Sequence, residues 1–367
     1  MHNPVGLIVT FAMMLAMALA GKAQASGPDP SFASSAATSS FTAVTITAPA
    51  LAGNIIGEPA QRELWVYLPA AYFTADTALP VIYFLPGFGT DAITGVEVQA
   101  DFDNSFKTLQ PAIVVIISGV NRYRGSFFVD SAVTGNWAEF MFNDVVNYVD
   151  ANYRTLAKPE ARGIAGHSMG GFGALNLAMR HADIFGSVFA MAPGLVDSSG
   201  MLDTQIFDTQ AHIKRFIASL SGIKQMPAQE ALASLSNNRS AFDIAYGMAF
   251  APILTPPYFE YPYTVVNNTL VVDETIMAKW NAGFGDVQRK IIEFKPQLKS
   301  LNGIGLDCGI NDEFQWIVRG CEHFHRELTA AGIEHVYTTH RGRHMNQLPA
   351  RTLEVMLPFF SQRLATQ

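Results

Sequence analysis

The chain has 367 residues, with 24 Lys and Arg against 31 Asp and Glu, a formal charge of −7 and two cysteines. Charged residues make up 15% and apolar residues 49%, which rules out a disordered chain and supplies enough apolar side chains for a large core. The acidic balance argues against a nucleic-acid partner, which needs clustered Lys and Arg; two cysteines make neither a disulfide-framework miniprotein nor a paired-cysteine zinc site.

Residues 5–20, VGLIVTFAMMLAMALA, form an uncharged apolar run followed by the small-x-small site Ala23-Gln24-Ala25. This predicts a signal peptide over 1–25 and export to the periplasm or the extracellular space, with an uncleaved anchor as the alternative because the first residues carry little positive charge. No second run of that length follows, so no membrane span is expected after signal removal. Residues 26–40 are small and polar and read as a flexible leader. FTAVTITAP (41–49) and RELWVYLPA (62–70) alternate as antiparallel strands do, whereas PVIYFLPG (80–87) and AIVVIIS (112–118) are unbroken runs suited to strands buried on both faces. The spacing predicts a helix over 137–153, a strand at 162–166, a helix over 169–181 and a buried strand at 186–193. After a long interval the alternation returns, with a strand at 304–309, a helix over 314–331, a strand at 334–340 and a final helix over 349–364. Strand and helix in alternation imply a three-layer α/β domain with a mostly parallel sheet. The interval 195–300 breaks the pattern, with helices expected at 204–221, 227–235 and 273–283 and a proline-rich segment at 253–263 that does not suit a central strand. It is expected to be an inserted helical cap within one domain spanning 41–367.

Gly166-His167-Ser168-Met169-Gly170 is a G-x-S-x-G set between a short apolar strand and an amphipathic helix, the context in which a serine is exposed on a strained strand-to-helix turn. A serine hydroxyl needs a base oriented by an acid, and on such an elbow the partners follow in the order serine, acid, histidine. His344, on the loop between the last strand and the last helix, is the candidate base, with His340 as runner-up. Asp312, after the preceding strand, is the candidate acid, with Glu313 beside it; whichever does not orient the histidine is expected to cap the helix. Oxyanion donors are expected from the backbone N–H groups of Met169 and, on the loop LPGFGTD (85–91), Phe88.

With those residues placed, the chain resembles the putative-esterase branch of the α/β-hydrolases, which includes feruloyl esterases, S-formylglutathione hydrolases and mycolyltransferases. The matching stretches are RELWVYLPAAY, VIYFLPGFGTD, GSFFVDSAVTGNWAEF, YRTLAKPEARGIAGHSMGGFGALNLAMRHADIFGSVFAMAPG, CGINDEF and GIEHVYTTHRGRHMNQL, covering roughly 60–195 and 300–362. The resemblance implies Ser168 as nucleophile, Asp312 as orienting acid, His344 as base and the Phe88 and Met169 amides as oxyanion donors. It implies no metal or organic cofactor, and a small-molecule or polysaccharide-linked ester as substrate; an acyltransferase on the same triad is the alternative, and a non-catalytic binding protein on this scaffold a more distant one. Many members carry His-Gly where this chain has Pro86-Gly87, which bears on loop shape.

Two further features have more than one reading. Cys308 and Cys321 flank the acid loop, and export would permit a disulfide between them, although spacing alone does not give the geometry. Tyr258, Phe259, Tyr261, Tyr263 and Trp280 either line an apolar pocket or pack the cap.

Overall fold

The unbroken apolar runs form the middle of one eight-stranded sheet. In the computed structural model, which describes residues 38–93 and 96–367, the strands in chain order are β1 (Ser40–Thr47), β2 (Gln61–Leu68), β3 (Val81–Leu85), β4 (Ile113–Ile117), β5 (Arg162–His167), β6 (Ser187–Met191), β7 (Gly303–Gly309) and β8 (Val336–His340). The expected signal peptide and most of the leader lie outside the described residues. In space the order is β1-β2-β4-β3-β5-β6-β7-β8. β1 pairs antiparallel with β2, and β2 with β4; every other neighbouring pair is parallel.

The central strands read as continuous apolar runs because successive side chains enter two different cores. Val81, Tyr83 and Leu85 of β3 point into one, together with Val115 of β4 and Ile164 of β5. Ile82 and Phe84 point into the other, with Val114 and Ile116. The first core is closed by the helix Met169–Arg180, the helix Gln315–Ala330 and the stretch 137–152, and the second by Val98–Ser105 and the C-terminal helical stretch beginning at Leu348. The stretch 137–152 is continuous, but its middle turns, Phe140–Val146, are π-helical. Among the described residues no helix is long and apolar enough to cross a membrane.

The insert between β6 and β7 contains the helices Gln210–Leu220, Ala228–Ser236 and Glu274–Phe284 near the expected positions. Further elements are additional, among them a helix and a hairpin. The helix Ala241–Phe250, AFDIAYGMAF, is buried along nearly its whole length, so it has no polar face and no helical period to read. The strands Tyr263–Val266 and Thr269–Val272 form a hairpin closed by Asn267 and Asn268, both at positive φ (48° and 62°), as a tight turn of that kind requires.

Cys308 and Cys321 are buried free thiols, so the disulfide that export would permit is not formed. Burial pushes the Cys321 thiol up, with a hydrogen bond to Cys308 adding to the effect.

One buried charge affects stability. Lys290 is 6% exposed, its ammonium donates to the Gly283 carbonyl, and its charge lies 5.7 Å from the Phe172 ring. Burial lowers its pKa from 10.5 to about 7, so between those values the unfolded chain binds more protons than the folded one and stability rises with pH. Lys290→Met removes the buried ammonium at the loss of one hydrogen bond. It is expected to stabilise the fold by on the order of 2 kcal/mol at pH 7, a gain that shrinks toward pH 10. Thermal melts of both proteins across that range check the sign; a gain that does not change with pH would contradict it.

Candidate active site

The serine is held in a conformation that only a tightly packed turn sustains. Ser168 follows β5 directly and has φ +55° and ψ −116° before the helix Met169–Arg180 begins, a strained backbone for a residue with a Cβ. Its N–H donates to the Met191 carbonyl on β6 at 2.9 Å, and its own carbonyl accepts from Phe172 N–H at 3.0 Å and Gly194 N–H at 3.1 Å. The two motif glycines are required by proximity. A Cβ on Gly166 would lie 2.2 Å from the Gly170 carbonyl oxygen, and one on Gly170 would lie 1.9 Å from that of Leu85.

The chain after β7 brings in the acid and the chain after β8 the histidine. Asp312 is 1% exposed; its Oδ1 accepts from Phe314 N–H at 2.8 Å, and its Oδ2 lies 2.6 Å from His344 Nδ1. A buried carboxylate accepts, so His344 carries its proton on Nδ1 and Nε2 is the nitrogen left unprotonated. Glu313 is turned to the same residue by another route: its Oε2 accepts the backbone N–H of His344 at 3.1 Å. Backbone donors, its own amide and that of His344, hold the Glu313 carboxyl below its ordinary range. The expected helix cap is absent, since the helix Gln315–Ala330 has no side-chain cap; both acids serve the histidine loop.

His340, the runner-up base, lies in a network beneath that loop. Its Nδ1 accepts from Gly342 N–H at 3.0 Å, and its Nε2 is 3.6 Å from Asp307, whose carboxylate is also held by Arg351 and Thr338. It does not line the cleft that holds Ser168. His167, the variable residue before the serine in the G-x-S-x-G, also belongs to the site. Its Nε2–H donates to the His344 carbonyl at 2.9 Å, and the two rings lie 4.6 Å apart. Burial, reinforced by the nearby His344, lowers the His167 pKa to about 3, so it is a neutral, fixed donor tying the elbow to the histidine loop. The only signal for it in sequence is its place beside Ser168.

Ser168 and His344 open on one cleft of about 190 Å³, walled by Phe88, Met169, Phe242, Phe284, Phe314 and Trp316. The loop carrying Phe88 is pinned by Gly89 N–H, which donates to the Arg124 carbonyl at 2.8 Å, by Thr90 Oγ1 bonded to the Gly87 carbonyl at 3.0 Å, and by the Arg124 guanidinium over the Phe88 ring at 5.7 Å. Gly89 itself has φ +71°. Among the described residues nothing accepts from the backbone N–H of Phe88 or Met169. The Met169 amide begins the elbow helix, whose positive dipole end favours a developing negative charge. The aromatic run of the insert is not part of this wall. Phe259, Tyr261 and Trp280 pack against one another and against Phe207 and Phe216, so that run packs the insert.

The model of the family described as "Putative esterase" matches residues 59–245, just over half of the chain. Esterase Rv1288 of Mycobacterium tuberculosis strain H37Rv is 35% identical over 127 residues, which is 33% of this chain and 27% of that protein. Esterase MT1326 of another strain of the same species matches to the same extent; the match spans about a quarter of the length of these curated relatives. Among solved structures, a ferulic acid esterase superposes with a TM-score of 0.58 at 19% identity, over 89% of this chain and 99% of its own. An S-formylglutathione hydrolase from Agrobacterium tumefaciens does so with a TM-score of 0.53 at 15% identity, over 90% and 98%. At such identities the likeness is one of fold, the three-layer α/β-hydrolase arrangement seen here. The sheet order, the elbow at the end of β5 and the family match agree, and the chain belongs to the putative-esterase family of α/β-hydrolases.

Proposed function

We propose that this protein is an exported serine carboxylic-ester hydrolase that works through an acyl-enzyme. The observation that carries the reading is the contact between His344 Nδ1 and the buried Asp312 carboxylate, in a loop that lines the same cleft as a strained, half-buried serine. Ser168 Oγ attacks the ester carbonyl carbon as its proton passes to His344 Nε2, and Asp312 stabilises the imidazolium without taking the proton. The carbonyl oxygen gains the negative charge, and the Phe88 and Met169 amides donate to it. When the tetrahedral species collapses, the alcohol leaves with the proton from His344. Water then repeats the attack on the acyl-enzyme, with His344 again as base, and the acid departs. Small-molecule or polysaccharide-linked esters with an apolar arm suit the carbon-lined cleft, and the ferulic acid esterase neighbour is named for an ester of that kind. Export rests on the apolar run at 5–20 and the Ala23-Gln24-Ala25 site.

An acyltransferase would use the same residues and differ in the acceptor. The test is turnover of p-nitrophenyl acetate and p-nitrophenyl butyrate with and without glycerol, with products identified by mass spectrometry. Free acid is expected as the main product in both conditions. Glyceryl ester in excess over free acid would assign transfer instead.

A further inference from the structure

The polar side chains of the cleft can be accounted for one at a time. Ser168 and His344 belong to the proposed triad, Thr90 donates to the Gly87 carbonyl, and His167 donates to the His344 carbonyl. That leaves Gln205, which follows the short turn Gly200–Asp203 in the insert. Its Oε1 accepts from the indole Nε1–H of Trp316 at 2.9 Å. An indole nitrogen only donates, so the oxygen end of this amide must face Trp316 and its two N–H groups must face elsewhere. Among the described residues nothing accepts from that nitrogen.

Trp316 is itself fixed. It is 7% exposed, stacks on Phe284 with centroids 5.8 Å apart, and neighbours Phe314 at 6.3 Å. Phe314 in turn meets the His344 ring edge-on at 5.0 Å. From the proposed reacting centre the wall therefore runs His344, Phe314, Trp316, Gln205: an apolar surface ending in an oriented pair of N–H donors. A hydrocarbon arm bound along it would leave those donors drier and unpaired, which costs binding energy, whereas an arm ending in an acceptor would satisfy them.

We infer that Gln205 is a specificity residue: its amide donates to an oxygen at the far end of the substrate's apolar arm, so the preferred esters carry an ether, carbonyl or hydroxyl oxygen beyond an apolar body that spans Phe314 and Trp316. This rests on the esterase reading above. The test compares kcat/KM for methyl 3-phenylpropanoate and its para-methoxy analogue, because a methoxy oxygen only accepts. The wild type is expected to favour the methoxy ester by about 5- to 10-fold, the size of one neutral hydrogen bond. Gln205→Glu keeps an oxygen for Trp316 but has no N–H, and is expected to bring the ratio to one or below. Trp316→Phe removes the donor that orients the amide and is expected to lower the ratio partway. A ratio is independent of the fraction of active enzyme, so partial misfolding of a variant does not imitate the effect. A wild-type ratio near one, or a ratio kept by Gln205→Glu, overturns the inference. If the wild type hydrolyses neither ester nor p-nitrophenyl acetate, it is the esterase reading that fails. Calorimetric binding of the two corresponding carboxylic acids to the wild type and Gln205→Glu then decides the inference alone: a methoxy preference lost in the variant supports it, and equal or absent binding overturns it.

Discussion

Ser168→Ala is expected to lower kcat/KM for p-nitrophenyl acetate by on the order of 10⁴-fold or more, with the fold retained by circular dichroism and thermal melting. The variant loses the one atom proposed to form the covalent bond, while the Asp312–His344 pair and the two amides remain. What activity is left then reports those donors and binding alone. The backbone bonds that hold position 168, to Met191, Phe172 and Gly194, do not involve the side chain, so the elbow has no reason to rearrange. Alanine at φ +55° is as strained as serine, and stability should therefore change little. An alanine variant with full activity would remove Ser168 from the mechanism.

Asp312→Asn is expected to have the second largest effect, a loss on the order of 10³- to 10⁴-fold in kcat, because a neutral amide neither fixes the Nδ1–H tautomer of His344 nor stabilises its imidazolium. Glu313→Gln should fall within about tenfold of the wild type. Its carboxamide oxygen still accepts the His344 backbone N–H, and the loss is confined to the charge on one exposed hydrogen bond. The measurement is kcat for both variants on one p-nitrophenyl ester at fixed pH. The reverse ranking would move the orienting role to Glu313, whereas the 2.6 Å contact of Asp312 with the ring nitrogen supports Asp312.

Much of the fold is legible because burial on both faces leaves a strong mark. β3 and β4 are runs in which every residue is buried, and their composition alone marks them as central strands. Ser168, His344 and Asp312 are marked by a local motif and by chain order, and they come together at the ends of β5, β7 and β8. What sequence does not carry is contact between distant residues with no pattern of their own. The His167 bond to the His344 carbonyl spans 177 positions, the Trp316–Gln205 bond spans 111, and the Asp307–Arg351 pair beneath the histidine loop spans 44. The helix Ala241–Phe250 escapes periodicity because it has no solvated face, and the cleft wall escapes composition because Phe88, Phe242, Phe284 and Phe314 come from four separate segments. The conspicuous aromatic cluster at 258–263 packs instead against Phe207, Phe216 and Trp280 of the same insert.

An activated Ser168 nucleophile should react with a fluorophosphonate. Intact-mass spectrometry should show a single adduct on the wild type, peptide mapping should place it on Ser168, and Ser168→Ala should remain unlabelled under the same conditions. An unlabelled wild-type protein, or an adduct that persists in Ser168→Ala, would mean that Ser168 is not the nucleophile.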